Sequence, residues 1–245
     1  MSKPVIVLDP GHGGYDPGAV GYGLKEKDLN LKLALMVAER LSGVRVLMTR
    51  ENDIFVSLAN RVAFSRRAEP QLFVSLHANA GGGRGFESFV CSSKGAGAPS
   101  VKMQAALHGR IMTALGGYKV VDRGMKRAAF YVLRHNPHPA VLIESLFIDN
   151  EREAGLWRDR VFVETLAGGV AGGLLAALKL PESNLKDPGG TGEPQDRVTT
   201  PSPAVKGRLY TVQVGAFKYL DNARYRLAEA QAAGFDDAYI YEKQI

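Results

Sequence analysis

The chain is poor in cysteine, with Cys91 alone among 245 residues. That excludes an internal disulfide framework and a zinc finger built on several thiolates. No apolar run reaches the roughly 18 residues that a membrane-spanning helix needs. The opening residues, Met1-Ser2-Lys3-Pro4, run directly into Val5-Ile6-Val7-Leu8-Asp9, too short an apolar stretch for a secretory signal peptide. Runs of one charge sign are also missing. The 31 basic and 25 acidic residues give a net charge of +6 but are scattered, which reads as a solvated surface, so no nucleic-acid partner is expected. Glycines at 11, 13, 14, 18, 21 and 23 fit neither the dinucleotide fingerprint nor the Walker pattern, which argues against a phosphate-cradling loop.

What remains is a chain of ordinary charge content and 45% apolar residues, long enough for one large domain plus a small module. The clearest break runs from Pro181 to Gly207. Its core, Lys186-Asp187-Pro188-Gly189-Gly190-Thr191-Gly192-Glu193-Pro194, is followed by Thr199-Thr200-Pro201-Ser202-Pro203. A Pro/Gly/Ser/Thr stretch without apolar periodicity does not offset its own ordering entropy and reads as a linker. The expected organisation is a domain over 1–181, a linker over 182–207 and a C-terminal piece over 208–245. Charge divides the same way: 23 basic against 16 acidic residues up to position 181, and 8 against 9 beyond it.

Within the first domain, short apolar runs at Val5–Leu8, Val44–Met48, Leu72–Leu76 and Ala140–Ile143 alternate with helical patterns at Leu29–Leu41, Leu58–Ala68, Val101–Leu115 and Phe162–Leu178. This predicts an α/β fold: a mixed, mainly parallel twisted sheet with helices on both faces. Phe86–Cys91 and Ala129–Leu133 read as further strands, candidates for antiparallel edges.

Working sites in such sheets lie beyond the carboxyl ends of the strands. His12 follows the first strand, His77 follows the Leu72–Leu76 run, and Glu144 ends the Ala140–Ile143 run. Two imidazoles, one carboxylate and an open position are the usual ligand set of a zinc hydrolase. The candidate carboxylate is Glu26, brought back toward His12 by the glycine-rich stretch from Gly11 to Gly23. Glu144 then remains free as a general base for water made acidic by the metal. Other candidates carry less. His135 and His138 flank a proline turn, His108 lies inside a helix, and Cys91 ends a strand with no helix N-terminus to activate it. Asp9 is a candidate for orienting a metal ligand.

The same residues carry a resemblance. Val5-Ile6-Val7-Leu8-Asp9-Pro10-Gly11-His12-Gly13-Gly14, Glu26 before Asn30-Leu31, Thr49-Arg50, Ser57-Leu58-Ala59-Asn60-Arg61, Val74-Ser75-Leu76-His77-Ala78-Asn79, Gly85-Phe86-Glu87, Val132-Leu133-Arg134 and Pro139-Ala140-Val141-Leu142-Ile143-Glu144 resemble zinc-dependent N-acetylmuramoyl-L-alanine amidases. The match is ordered along nearly all of residues 3–180. It implies cleavage of the amide between N-acetylmuramic acid and L-alanine in peptidoglycan. It also implies His12, Glu26 and His77 as zinc ligands and Glu144 as the catalytic carboxylate. One departure is Glu144-Ser145-Leu146-Phe147-Ile148-Asp149-Asn150, where the family often has Glu-Leu-Gly-Phe-Ile-Ser-Asn.

The tail resembles something too. Tyr210-Thr211-Val212-Gln213-Val214-Gly215-Ala216-Phe217, Asn222-Ala223 and Gly234-Phe235 are similar to the first half of a sporulation-related, peptidoglycan-binding repeat. The expected tail is therefore a small βαβ fragment of a glycan-binding module. The alternatives are a different zinc peptidase acting on the stem peptide, or a non-catalytic wall-binding protein. The expected partner is peptidoglycan and the expected state a monomer. The expected place of action is the bacterial wall, reached by lytic release from the cytoplasm (phage or mother cell) or as a trimmed mature form.

Overall fold

The computed structural model describes residues 3–92 and 97–186. Most of the expected linker and the whole C-terminal module lie outside the described residues. The described part is a three-layer domain. Strand β1 (Val5–Pro10) is followed by a short hairpin, β2 (Val20–Gly21) and β3 (Leu24–Lys25), then by helix α1 (Glu26–Glu39) and β4 (Arg45–Met48). Helix α2 (Leu58–Ala68), β5 (Leu72–Asn79), β6 (Phe86–Cys91), α3 (Ala98–Ala114) and β7 (Asp122–Ala128) come next. The chain continues through α4 (Tyr131–Arg134), β8 (Ala140–Phe147), α5 (Glu151–Arg158) and α6 (Arg160–Ala177).

Six strands form one sheet in the order β4-β1-β5-β8-β6-β7. The first four run parallel; β6 is antiparallel to β8, and β7 runs parallel with β6. Four strands therefore finish at the rim where two begin. The parallel strands are near-continuous apolar runs because both sheet faces are covered. Ile6, Leu8, Val74, Leu76, Val141 and Ile143 pack against α1, α3 and α6. Val7, Phe73, Ala140 and Leu142 face the other way, onto Val62 of α2 and Val132 and Leu133 of α4.

Local signals fix the helix ends. Ser57 accepts a hydrogen bond from the Asn60 N–H at the start of α2, Asn150 caps α5 and Asp159 caps α6, each satisfying an otherwise unpaired N-terminal amide. The 18-residue α6 is strongly apolar, and Phe162, Val163, Leu166, Val170 and Leu174 bury one face of it in the core. Gly169 and Gly173, one turn apart on α6, let it meet α3 closely. A Cβ on Gly173 would lie 2.7 Å from Leu107 Cδ1 and 3.0 Å from the Leu107 Cα.

Three sequence expectations need revision. Phe86–Cys91 is a strand antiparallel to β8, but it is interior, flanked by β8 and β7. Ala129–Leu133 is not a strand. The edge strand is Asp122–Ala128, and the apolar residues that follow turn into α4, with Arg134 N–H bonded to Phe130 O at 2.8 Å. An edge strand exposed along one side tolerates charge, so its apolar alternation is weak. The third concerns the domain end. Residues 182–186 pack onto the domain: Leu185 pairs with Leu41, Ser42 N–H donates to Asn184 O (2.8 Å) and Lys186 N–H to Arg40 O (2.7 Å). Arg45 N–H likewise donates to Pro4 O (2.8 Å). Both ends of the described domain thus lie at the rim where the parallel strands start.

His108, in α3, is structural. It bonds Ser88 Oγ (2.8 Å) and Asp122 Oδ1 (2.9 Å), tying α3 to β6 and β7, and Ser88 is fully buried.

Candidate active site

The opposite rim, where β1, β5 and β8 end, collects the chemistry. His12 sits two residues beyond β1, His77 within the end of β5, Glu26 at the first position of α1 and Glu144 in β8, in register with His77. His12, Glu26 and His77 each offer one donor atom, and these atoms lie within 4.8 Å of one another. Glu26 is buried at 4% exposure and bridges both rings, with Oε2 3.1 Å from His12 Nε2 and Oε1 2.8 Å from His77 Nδ1. Its oxygens also accept from the Ala19 N–H (2.8 Å) and, at 3.3 Å, from Asn30 Nδ2 and the Ala78 N–H.

Two glycines make this convergence possible. A Cβ on Gly11 would lie 2.2 Å from His77 Cε1, and one on Gly18 would lie 2.6 Å from Glu26 Oε2 and 2.7 Å from His12 Cδ2. His12 itself adopts φ of 60°, a left-handed conformation unusual for a residue with a side chain. Such strain persists only where surrounding structure enforces it, and here two buried arginines do so. Arg61 donates to Pro10 O (2.6 Å) and His12 O (2.7 Å), and Arg50 donates to Pro10 O (3.0 Å) and Gly11 O (2.9 Å).

Asp9 does not orient a ligand ring. Its carboxylate is buried against Arg61 Nη1 (2.7 Å), Thr49 Oγ1 (2.6 Å) and Ser75 Oγ (2.7 Å), so it acts on His12 only through the arginine. The ring of His12 is held instead by Asp16, whose Oδ2 lies 2.8 Å from Nδ1. Asp16, Arg50 and Arg61 are site residues that the sequence reasoning did not assign. Arg50 and Arg61 fall in segments that resemble the amidases, and Asp16 lies four residues after His12 on the same glycine-rich loop, but none of these carries its role in its local sequence.

The electrostatics favour a cation. Burial works against a charged His12, but the hydrogen bonds and charges of Glu26 and Asp16 outweigh it and raise its pKa to about 9. Burial likewise opposes charge on His77, while the hydrogen bond to Glu26 and the charges of Glu144 and Glu26 raise it. Burial opposes ionisation of Glu26 too, yet the hydrogen bonds and charges of both imidazoles hold it well below the usual carboxylate range. One ionised carboxylate clasped by two basic rings is a site where a metal ion would replace protons. The donor set of two imidazoles and one carboxylate, the space kept by Gly11 and Gly18, and the carboxylate that orients His12 all fit such an ion.

Glu144 is different. Its Oε2 is buried and has no hydrogen-bond partner among the described residues. Burial pushes its pKa up; the charge of His77 pulls down, while Glu26 and Glu87 push up, and the result is about 7. Register places Glu144 between His77 on β5 and Glu87 on β6, so the three side chains form one row on the same face. Glu87 is paired: it accepts from Asn79 Nδ2 (2.7 Å), Arg123 Nε (2.8 Å) and Lys126 Nζ. His135 and His138 are remote from this cluster in sequence and join no group of potential metal donors among the described residues.

A carboxylate whose buried oxygen has no partner among the described residues, set beside a three-donor cluster at the carboxyl edge of a parallel sheet, has the layout of a hydrolase. Comparison with known proteins narrows this. The sequence pattern described as N-acetylmuramoyl-L-alanine amidase matches residues 6–176. The chain is 38% identical over 239 residues to the sporulation-specific N-acetylmuramoyl-L-alanine amidase of Bacillus subtilis (strain 168), covering 96% of this chain and 84% of that protein. It is 35% identical over 249 residues to an endolysin of Bacillus phage SPP1, covering all of this chain and 90% of that one. Its fold matches the catalytic domain of CwlV, an N-acetylmuramoyl-L-alanine amidase from Bacillus (Paenibacillus) polymyxa var. colistinus, with a TM-score of 0.67 at 32% identity, over 73% of this chain and 99% of that one. The chain belongs to the N-acetylmuramoyl-L-alanine amidase family.

Proposed function

We propose that the protein is a zinc-dependent peptidoglycan amidase that cleaves the bond between N-acetylmuramic acid and the L-alanine of the stem peptide. Membership of the family supports the reaction, and one observation supports the mechanism: Glu144 lies in register with His77, and its buried Oε2 has no hydrogen-bond partner among the described residues. His12, Glu26 and His77 would hold the zinc, with Asp16 fixing the His12 ring. When bound, zinc supplies Lewis acidity to the amide carbonyl and lowers the pKa of water toward neutrality. Glu144 accepts the proton of the attacking water as its oxygen bonds to the lactyl carbonyl carbon. It then delivers that proton to the alanine nitrogen as the C–N bond breaks, leaving a carboxylate on the sugar and a free amine on the peptide.

In this reading residues up to Lys186 form the catalytic domain and act on the bacterial wall. The tail over 208–245, by its likeness to half of a sporulation-related repeat, would hold the enzyme near glycan. Mass spectrometry of digested walls tests the reaction. Whole stem peptides with a free L-alanine amine, lost with a chelator and recovered with zinc, are the expected products. Shortened peptides still attached to sugar would assign the site to a stem-peptide peptidase, and intact walls would make the protein a binder.

A further inference from the structure

The active rim has two unlike flanks. On the β4 side, Tyr15 is 80% exposed, the most exposed large apolar side chain among the described residues, and its ring stacks on Phe55 with centroids 4.3 Å apart and planes 26° from parallel. Ile54 and Leu58 lie beside this pair in the chain, also exposed. The rings are mounted rigidly. The Gly14 N–H donates to Asp53 Oδ1 (2.7 Å), and Lys27 Nζ bridges Gly14 O (2.8 Å) and Asp53 Oδ2 (2.6 Å). Gly13 and Asp16 pair through their backbones, and a Cβ on Gly14 would lie 2.6 Å from the Phe55 nitrogen. Tyr15 is three residues from His12 and adjacent to Asp16, which holds the His12 ring.

Beyond Glu144, on the β7 side, the character changes. Arg123 and Lys126 share the single carboxylate of Glu87, and the Arg123 guanidinium lies 4.8 Å over the Phe147 ring. Arg123 and Lys126 supply cationic hydrogen-bond donors on that flank, which suit a peptide with its terminal carboxylate. A braced pair of apolar rings suits a pyranose, whose C–H bonds present a weakly positive face to the electron-rich face of an aromatic ring.

We propose that Tyr15 and Phe55 form a sugar-stacking subsite for the glycan side of the substrate, so that the glycan strand runs over the β4 flank and the peptide leaves across β8 toward β7. This rests on the amidase reading, in which a sugar must lie on one side of the scissile bond and a peptide on the other.

The test compares two soluble substrates of the full, zinc-loaded chain: a disaccharide-peptide, and the same peptide bearing only the lactoyl group without sugar. Tyr15→Ala should lower the preference for the sugared substrate by about two- to tenfold, the range of a single aromatic stacking contact, through KM rather than kcat. Tyr15→Trp should restore it, and Tyr15→Ala with Phe55→Ala should lower it further. An active wild type whose preference is unchanged by Tyr15→Ala, or an equal loss on both substrates, overturns the subsite alone. A wild type that cleaves neither substrate overturns the amidase reading together with it.

Discussion

Replacing Glu144 with glutamine separates catalysis from architecture. The side chain keeps its size and loses its charge and its basicity. Turnover should fall by roughly 10²–10⁴, the usual contribution of a positioned general acid–base. Stability should move the other way. Burial raises the folded-state pKa of Glu144 from an ordinary 4.5 to about 7. Below pH 4.5 the carboxyl is protonated in both folded and unfolded chains and contributes no difference. Between 4.5 and 7 the unfolded chain sheds the proton while the folded one keeps it, so wild-type stability declines as pH rises. Above 7 the deficit is complete, about 3 kcal/mol in the metal-free protein. The glutamine variant is neutral throughout, so metal-free Glu144→Gln should match wild type near pH 4 and exceed it by up to that amount at pH 8. Bound zinc should narrow the gap, because a nearby cation favours the ionised carboxylate. Urea denaturation at the two pH values, zinc content and muropeptide turnover form one assay set. Glu26→Gln and His77→Ala supply the contrast, losing zinc and activity together. A Glu144→Gln variant that is fully active, inactive only through zinc loss, or less stable than wild type at pH 8 would refute the reasoning.

Two further outcomes follow from particular contacts. Asp16→Asn keeps all three donors but weakens the partner that aligns His12, so zinc affinity in a competitive chelator titration should fall about 10- to 100-fold with the fold retained; an unchanged affinity would show that the backbone alone sets the ring. A chain ending at Lys186 should keep its thermal transition and its turnover of soluble substrate. One ending at Pro181 loses the pairing of Leu41 and Ser42 with Leu185 and Asn184, and should unfold with about 1–3 kcal/mol less stability; equal midpoints would show that those pairs contribute nothing.

His12, His77 and Glu144 were legible because each ends or closely follows a short apolar run, and a parallel sheet carries all such ends to one rim. Glu26 was legible only with the glycines, since among Lys25, Lys27 and Asp28 it looks like one more solvated charge. Asp16 was not read, because an aspartate between tyrosine and proline in a glycine-rich stretch signals a turn, and nothing local shows that its carboxylate meets an imidazole. Arg50 and Arg61 were hidden for a related reason: a buried arginine is distinguished by the backbone carbonyls it meets, which come from a distant loop. The edge strand Asp122–Ala128 escaped because its charged side chains are stabilised by solvent and by Glu87. The apolar Ala129–Leu133 took its place in the reading, although Val132 and Leu133 fill the second core from a helix. Gly21, which would clash with Ile148 if it carried a Cβ, shows the same limit for the hairpin.

Pro4 and Lys186 both lie at the rim where the parallel strands start, opposite the rim that carries His12 and Glu144. For modular construction this makes the domain a cartridge with both connectors on its back. Whatever is joined at Pro4 or Lys186 is attached at the rim opposite His12 and Glu144. A change in what is joined there alters no residue of the rim that carries His12, Glu26, His77 and Glu144, so attachment and hydrolysis occupy separate faces of the described domain.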